Sequence, residues 1–221
     1  MPRKRRVAFL CVLLALILAV PAVFCACSGA PTAEDLRADV IALLEAAPEI
    51  NEVFFGAGLP VFDSSAPENA DLYREVPESL SLYDVVDVEH SKFQSIEHIK
   101  AAALRVYSSS CISPLFAAAF EGVSSDATPS AVLVSKPYFV EQDDRLYQLR
   151  RSELDPDFDA IRERSLVFDY NSLTVNSRSS SKTSVVLTIK AHLLSEPSKT
   201  ETKSFRLLST PTGWKLNSWV L

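Results

Sequence analysis

The stretch TSVVLTIKAHLLS, residues 183–195, places Val185, Leu187, Ile189, Ala191 and Leu193 on one side and Thr188, Lys190 and His192 on the other. A period of two belongs to an extended strand, whose successive side chains point to opposite faces. One face then meets a core and the other water, which is the habit of an antiparallel sheet. Partner strands are available on both sides. LVFDYNSLTVNS (166–177) precedes it, and TKSFRLLST (202–210) and WKLNSWVL (214–221) follow. Polar connectors lie at 178–182, 196–201 and 210–213, the last holding Gly213. This predicts a meander of successive hairpins.

Further upstream, AVLVSKPYFVEQ (131–142) and RLYQLR (145–150) flank Asp143 and Asp144 as another hairpin, and PDFDAIRER (156–164) suits a short helix. Before these the period changes to that of a helix. Ser95 can cap a helix whose Ile96, Ile99, Ala103, Leu104 and Tyr107 share a face, and Ser113-Pro114 opens a second, PLFAAAFE, stopped by Gly122. Thr32 and Asp35 have capping-box spacing, and Leu36, Val40, Leu43, Leu44 and Ala47 recur at helical intervals until Pro48. ENADLYREV (68–76) reads as a short strand. The predicted class is α+β, with N-terminal helices followed by a curved antiparallel meander sheet. The predicted division is 1–26, 27–31, an acidic helical and irregular region at 32–94, and an α+β unit at 95–221.

The order of elements over 95–221, ending in GWKL, resembles the nuclear-transport-factor-like cone, also called cystatin-like or SnoaL-like. That resemblance implies a cone-shaped fold with a mouth, for which Asp169, His192 and Trp214 are the candidate pocket residues. The fold hosts enzymes, ligand binders and interaction modules alike, so it does not decide function. More narrowly, FQSIEHIKAAALRVYSSS (93–110) followed by YFVEQDDRLYQL (138–149) is similar to a pattern in Gram-positive extracytoplasmic proteins that include inhibitors of cell-wall DL-endopeptidases.

The N-terminus speaks to location. Arg3, Lys4, Arg5 and Arg6 precede an uncharged apolar run from Val7 to Phe24, the arrangement of an export signal. FCAC, Phe24 to Cys27, resembles the lipobox of bacterial lipoproteins. There a small residue, here Ala26, precedes the cysteine that is diacylated and becomes the new N-terminus, here Cys27; Phe24 stands where the family more often has leucine. The resemblance implies a signal peptide over 1–26 and a lipid anchor on the extracytoplasmic face of the cell membrane, or at the outer membrane in a Gram-negative host. An uncleaved anchor and ordinary cleavage after Ser28 are the alternatives. With Cys27 lipidated, Cys111 has no partner for an intramolecular disulfide, and a disulfide framework is excluded.

Removal of the signal leaves 18 Lys and Arg against 28 Asp and Glu, a net charge of −10, unevenly spread. Residues 32–90 hold 14 acidic side chains against Arg37 and Arg74, whereas 173–221 carry a net +5. Nucleic acid, which needs a basic face, is an unsuitable partner. An acidic segment can steer a basic partner or simply solvate the domain.

Enzymatic signatures are absent from the pattern. Five glycines, at 29, 56, 58, 122 and 213, make no phosphate-binding loop. GVSSD (122–126) lacks the second glycine of a nucleophile elbow, and no spacing requires Ser124, His98 and Asp126 to act together. His90, His98 and His192 match no metal-ligand spacing, and Asp155, Asp157 and Asp159 fall around Pro156 and Phe158 rather than in a calcium loop. No cofactor or metal is implied. Phe54, Phe55 and Phe62, in a segment broken by Gly56, Gly58 and Pro60, fit core burial first, because aromatics in such segments usually plug a sheet edge, and are otherwise candidates for an exposed docking patch. The expected function is a membrane-anchored, non-catalytic module for a basic envelope protein or a small apolar ligand, such as a cell-wall hydrolase inhibitor. The competing class is a cone-fold enzyme using Asp169 or His192 as acid or base.

Overall fold

The structure is a computed structural model that describes residues 29–122, 136–150 and 166–220. It is α+β, with helices packed on antiparallel sheets. The first helix, α1 (Ala33–Phe55), starts where its capping box allows. Thr32 Oγ1 accepts from the Asp35 N–H at 3.2 Å, and the Asp35 carboxylate accepts from the Thr32 N–H at 2.9 Å. Bonds from Thr32 hold the Asp35 carboxyl below its usual range. The helix does not end at Pro48 as expected. Leu36, Val40, Leu43, Leu44, Ala47, Ile50, Val53, Phe54 and Phe55 form one buried stripe that continues past the proline. An interior proline costs about 3 kcal/mol, but burying each large apolar side chain contributes about 1.5–3 kcal/mol. Four such residues beyond Pro48 outweigh the one lost bond.

Residues 67–74 are also helical rather than extended: a 3₁₀ turn, Pro67–Asn69, runs into α2 (Ala70–Arg74), where Asp71 and Arg74 pair one turn apart at 2.6 Å. After a second 3₁₀ turn, Glu78–Leu80, the chain forms β1 (Tyr83–Val85). Helix α3 (Ile96–Val106) starts at Ser95, whose Oγ accepts from the His98 N–H at 3.1 Å. Its buried face is Ile99, Ala103 and Val106; Leu104 lies off it and is 41% exposed. Helix α4 (Ser109–Phe116) begins before Pro114, not at it, because Ser108 caps the turn by accepting from the Cys111 N–H. A π-helical turn, Ala117–Glu121, follows and ends at Gly122, whose φ of 80° suits glycine.

Strands β2 (Phe139–Gln142) and β3 (Arg145–Leu149) form the expected hairpin around Asp143 and Asp144. Both turn residues have positive φ, 52° and 60°, the signature of a type I′ turn matched to strand twist. β1 adds to the far side of β3, pairing Tyr83 with Leu149, so this sheet has the order β1-β3-β2. The predicted meander forms a second sheet: β4 (Leu166–Val175), β5 (Ser184–Leu193), β6 (Thr200–Thr210) and β7 (Gly213–Leu216), in that order. Val185, Leu187, Ile189 and Ala191 are buried, as their alternation requires. Between Asp169 and Thr174 the β4–β5 register shifts at a bulge, and Arg37 of α1 donates to the Tyr170 carbonyl there at 2.7 Å.

α1 packs against α3, β4 and β7, and the segments 32–94 and 95–220 share one hydrophobic core. The chain beyond β7 closes over it. Trp219, expected on the last strand, lies past its end and packs edge-on against Phe55 at 4.9 Å and tilted on Tyr107 at 4.5 Å. Asn51 donates to the Val220 carbonyl at 2.8 Å and accepts from the Tyr107 hydroxyl at 2.7 Å. Among the described residues no helix is long and apolar enough to cross a membrane.

Candidate functional site

Of the two readings open for Phe54, Phe55 and Phe62, the structure takes core burial over an exposed docking patch. Phe54 and Phe55 are 3% and 7% exposed. The cause is the continuation of α1 through Pro48, which turns both rings inward: Phe54 meets Phe116 and Phe120, and Phe55 meets Trp219. Phe62 is half-buried and packs against the same core. The sequence signal that would have placed them is the register of Val53, Phe54 and Phe55 with Val40, Leu43 and Leu44 across the proline.

The three candidate pocket residues divide. Asp169 stands opposite Lys190 in the β4–β5 ladder, and His192 follows Lys190 two residues along, so all three share the outer face of the meander. With Thr200 and Thr202 they line an open groove of about 490 Å³. Asp169 bonds its own bulge, accepting from the Asn171 N–H, and no hydrogen bond links it to His192. An acid–base pair needs such contact or a bound substrate between the two groups. Trp214 does not line this groove; it is half-buried on β7 opposite Ser209 and packs against the core.

The acidic side chains of the segment lie largely at the surface of elements whose other faces build the core. Several of its carboxylates are tied locally: Glu34 to Arg37, Glu75 to Arg145, Asp84 to Arg150 and Asp87 to His90. Asp39, Glu45, Glu68, Glu78 and Glu89 are exposed and have no cation partner among the described residues. Each solvated carboxylate costs the fold little, and together they leave the 32–90 segment with exposed negative charge that no cation among the described residues neutralises.

A second concavity, of about 430 Å³, lies between α1 and α3. Its buried lining is Ile50, Phe93 and Val106, and the small side chains of Ala46, Ala101 and Ala102 leave the space open. Lys92, His98 and Arg105 stand at its rim with Glu49, which pairs with Lys92 at 3.1 Å. The side chains of His98 and Arg105 have no such partner among the described residues. His98 and Arg105 are seven residues apart on α3 with Ala101 and Ala102 between them, so one helical stripe carries the site. That spacing was readable; the facing residues of α1 were not.

Cys111 is half-buried, and burial pushes its thiol up to about 11, away from reactivity at neutral pH. Among the described residues no group of three His, Cys, Asp or Glu could hold a metal ion. Cys27, the signal at 1–26, Ser124, Asp126, the 156–164 helix and Asp155, Asp157 and Asp159 lie outside the described residues. No protein-family model matches the chain, and no curated protein matches it by sequence.

Proposed function

We propose that this chain is an extracytoplasmic lipoprotein, anchored through Cys27, that works as a non-catalytic binding module for a basic envelope protein. The observation that carries the reading is the exposed, unneutralised set Asp39, Glu45, Glu68, Glu78 and Glu89, gathered in one stretch of an otherwise mixed chain. Fields of this kind raise association rates with a cationic partner and discourage contact with anionic lipid. The lipobox-like FCAC supports the location. The short spacing from Cys27 to the first residue of α1, Ala33, would hold the acidic helix close to the membrane surface. Two acyl chains give stable anchoring where one is marginal. A cell-wall hydrolase is the specific partner suggested by the sequence resemblance, inhibition being the outcome.

The test has two arms. Intact mass of the membrane-fraction protein, beside Cys27→Ser, is expected to give residues 27 onward plus acyl chains, lost in the variant; a full-length or unlipidated mass overturns the anchor. Binding of purified cell-wall endopeptidases is then measured at roughly 50 and 500 mM salt, where screening lengths differ several-fold. Binding that weakens about tenfold or more with salt, and again on Asp39→Lys with Glu45→Lys, fits the proposal. Salt-insensitive binding or none removes the acidic surface from the function. Turnover of a small substrate that is lost on His192→Ala would instead favour the cone-fold enzyme.

A further inference from the structure

We propose that the cleft between α1 and α3 is a binding site for a small anionic amphiphile, a molecule with one carboxylate or comparable acid head and a short apolar body. Its volume of about 430 Å³ falls in the range of small-molecule sites, about 300–1,000 Å³. Apolar area is supplied by Ile50, Phe93 and Val106, and no bulky side chain crosses it, because the facing positions are Ala46, Ala101 and Ala102.

The charges at the rim select the sign of the head. Lys92 and Arg105 face one carboxylate, Glu49, which Lys92 already engages, and the exposed His98 side chain stands beside them. Arg105 is the centre of the imbalance. Its carbonyl accepts from the buried Lys215 ammonium at 2.6 Å, which brings a second cation to the end of α3, and among the described residues no acid pairs with either. Burial and the Arg105 charge hold Lys215 below its ordinary range, the response of a cation crowded by another. An acid head beside Arg105 relieves that repulsion and takes up the guanidinium's unused donors, where a carboxylate fits in bidentate fashion. A cationic or neutral amphiphile finds the same apolar lining without this gain. None of the carboxylates assigned to protein binding lines the cleft, and the octanoate test substitutes none of them, so either proposal can fail alone.

Octanoate is the probe, used far below its micelle concentration, with octylammonium as the opposite-charge control and calorimetric titration as the readout. Octanoate is expected to saturate a single site. Arg105→Gln should weaken it about tenfold or more, in line with loss of a charge-assisted contact. Ala46→Trp, at an exposed position, should block the cleft and abolish binding while leaving the circular dichroism spectrum unchanged. Equal binding of octylammonium, or octanoate binding untouched by both substitutions, overturns the proposal. So does Arg105-dependent binding to phosphatidylglycerol vesicles with no binding of monomeric octanoate, which would make Arg105 a membrane contact.

Discussion

Two residues show how much of the stability rests on the chain's closure over α1. Trp219 touches Phe55 and Tyr107 at once, so its removal strips an aromatic cover from the end of the helix. Trp219→Ala should cost about 2–4 kcal/mol, near the lower part of the range for large aromatics because the ring is only partly buried; urea unfolding measures it, and a loss under about 1 kcal/mol would mean the ring is not held there. Tyr107 adds a pH dependence. Burial raises its phenol above the ordinary value of 10.0. The neutral form is therefore favoured in the fold; its contribution is complete below pH 10 and is lost as pH rises beyond it. Stability of the wild type should fall more steeply above pH 10 than that of Tyr107→Phe, and parallel curves would show that the hydroxyl is not buried as described.

At the scale of elements, two places depart from local preference in ways that substitution can reveal. Pro48 is exposed inside α1, where it lacks an N–H for the Leu44 carbonyl. Pro48→Ala should stabilise by about 1–3 kcal/mol, seen as a higher urea midpoint with an unchanged slope. Asp143 and Asp144 occupy a turn that requires left-handed backbone at both positions. Changing the pair to Asn-Gly should add roughly 0.5–1 kcal/mol, since these residues meet that requirement with less strain. The same two places mark what the sequence disclosed. The I′ hairpin, the capped starts at Thr32 and Ser95 and the alternating β5 were legible because each is decided by neighbours within a few residues. β1 was not: three residues, Tyr-Asp-Val, become a strand only by pairing with β3 more than sixty positions away. The extension of α1 was hidden for the same reason, since tertiary burial, not local propensity, carries it past proline. Among site residues, alternation placed His192 on the outer face of β5, while the position of Asp169 beside it depended on the β4–β5 register, which only the structure shows, and the burial of Phe54 and Phe55 on the extension of α1.

For the molecule as a whole, the shared core predicts a single unfolding event. Trp214 and Trp219 report by fluorescence on the region around β7, while far-ultraviolet circular dichroism reports largely on the helices. The two urea transitions should coincide, and a separated early loss of helix would mean that residues 32–94 unfold independently. The charge arrangement is also molecular in scale: an acidic first part and a basic meander are tied to one core, so the two kinds of charge are held on a single folded body.

The bond from Asn51 to Val220 spans 169 positions of chain. It sets a timetable as well as a contact. A chain that emerges in order, from a ribosome or through a membrane channel, exposes α1 long before the residues that cover Phe55 exist outside. During that interval the apolar stripe of α1 has neither β7 nor Trp219 to shield it, and pairings of such high sequence separation form late and slowly. Maturation therefore contains a waiting period in which the first helix needs a chaperone or a clear neighbourhood, and crowding at the exit point becomes a hazard that the finished fold no longer displays.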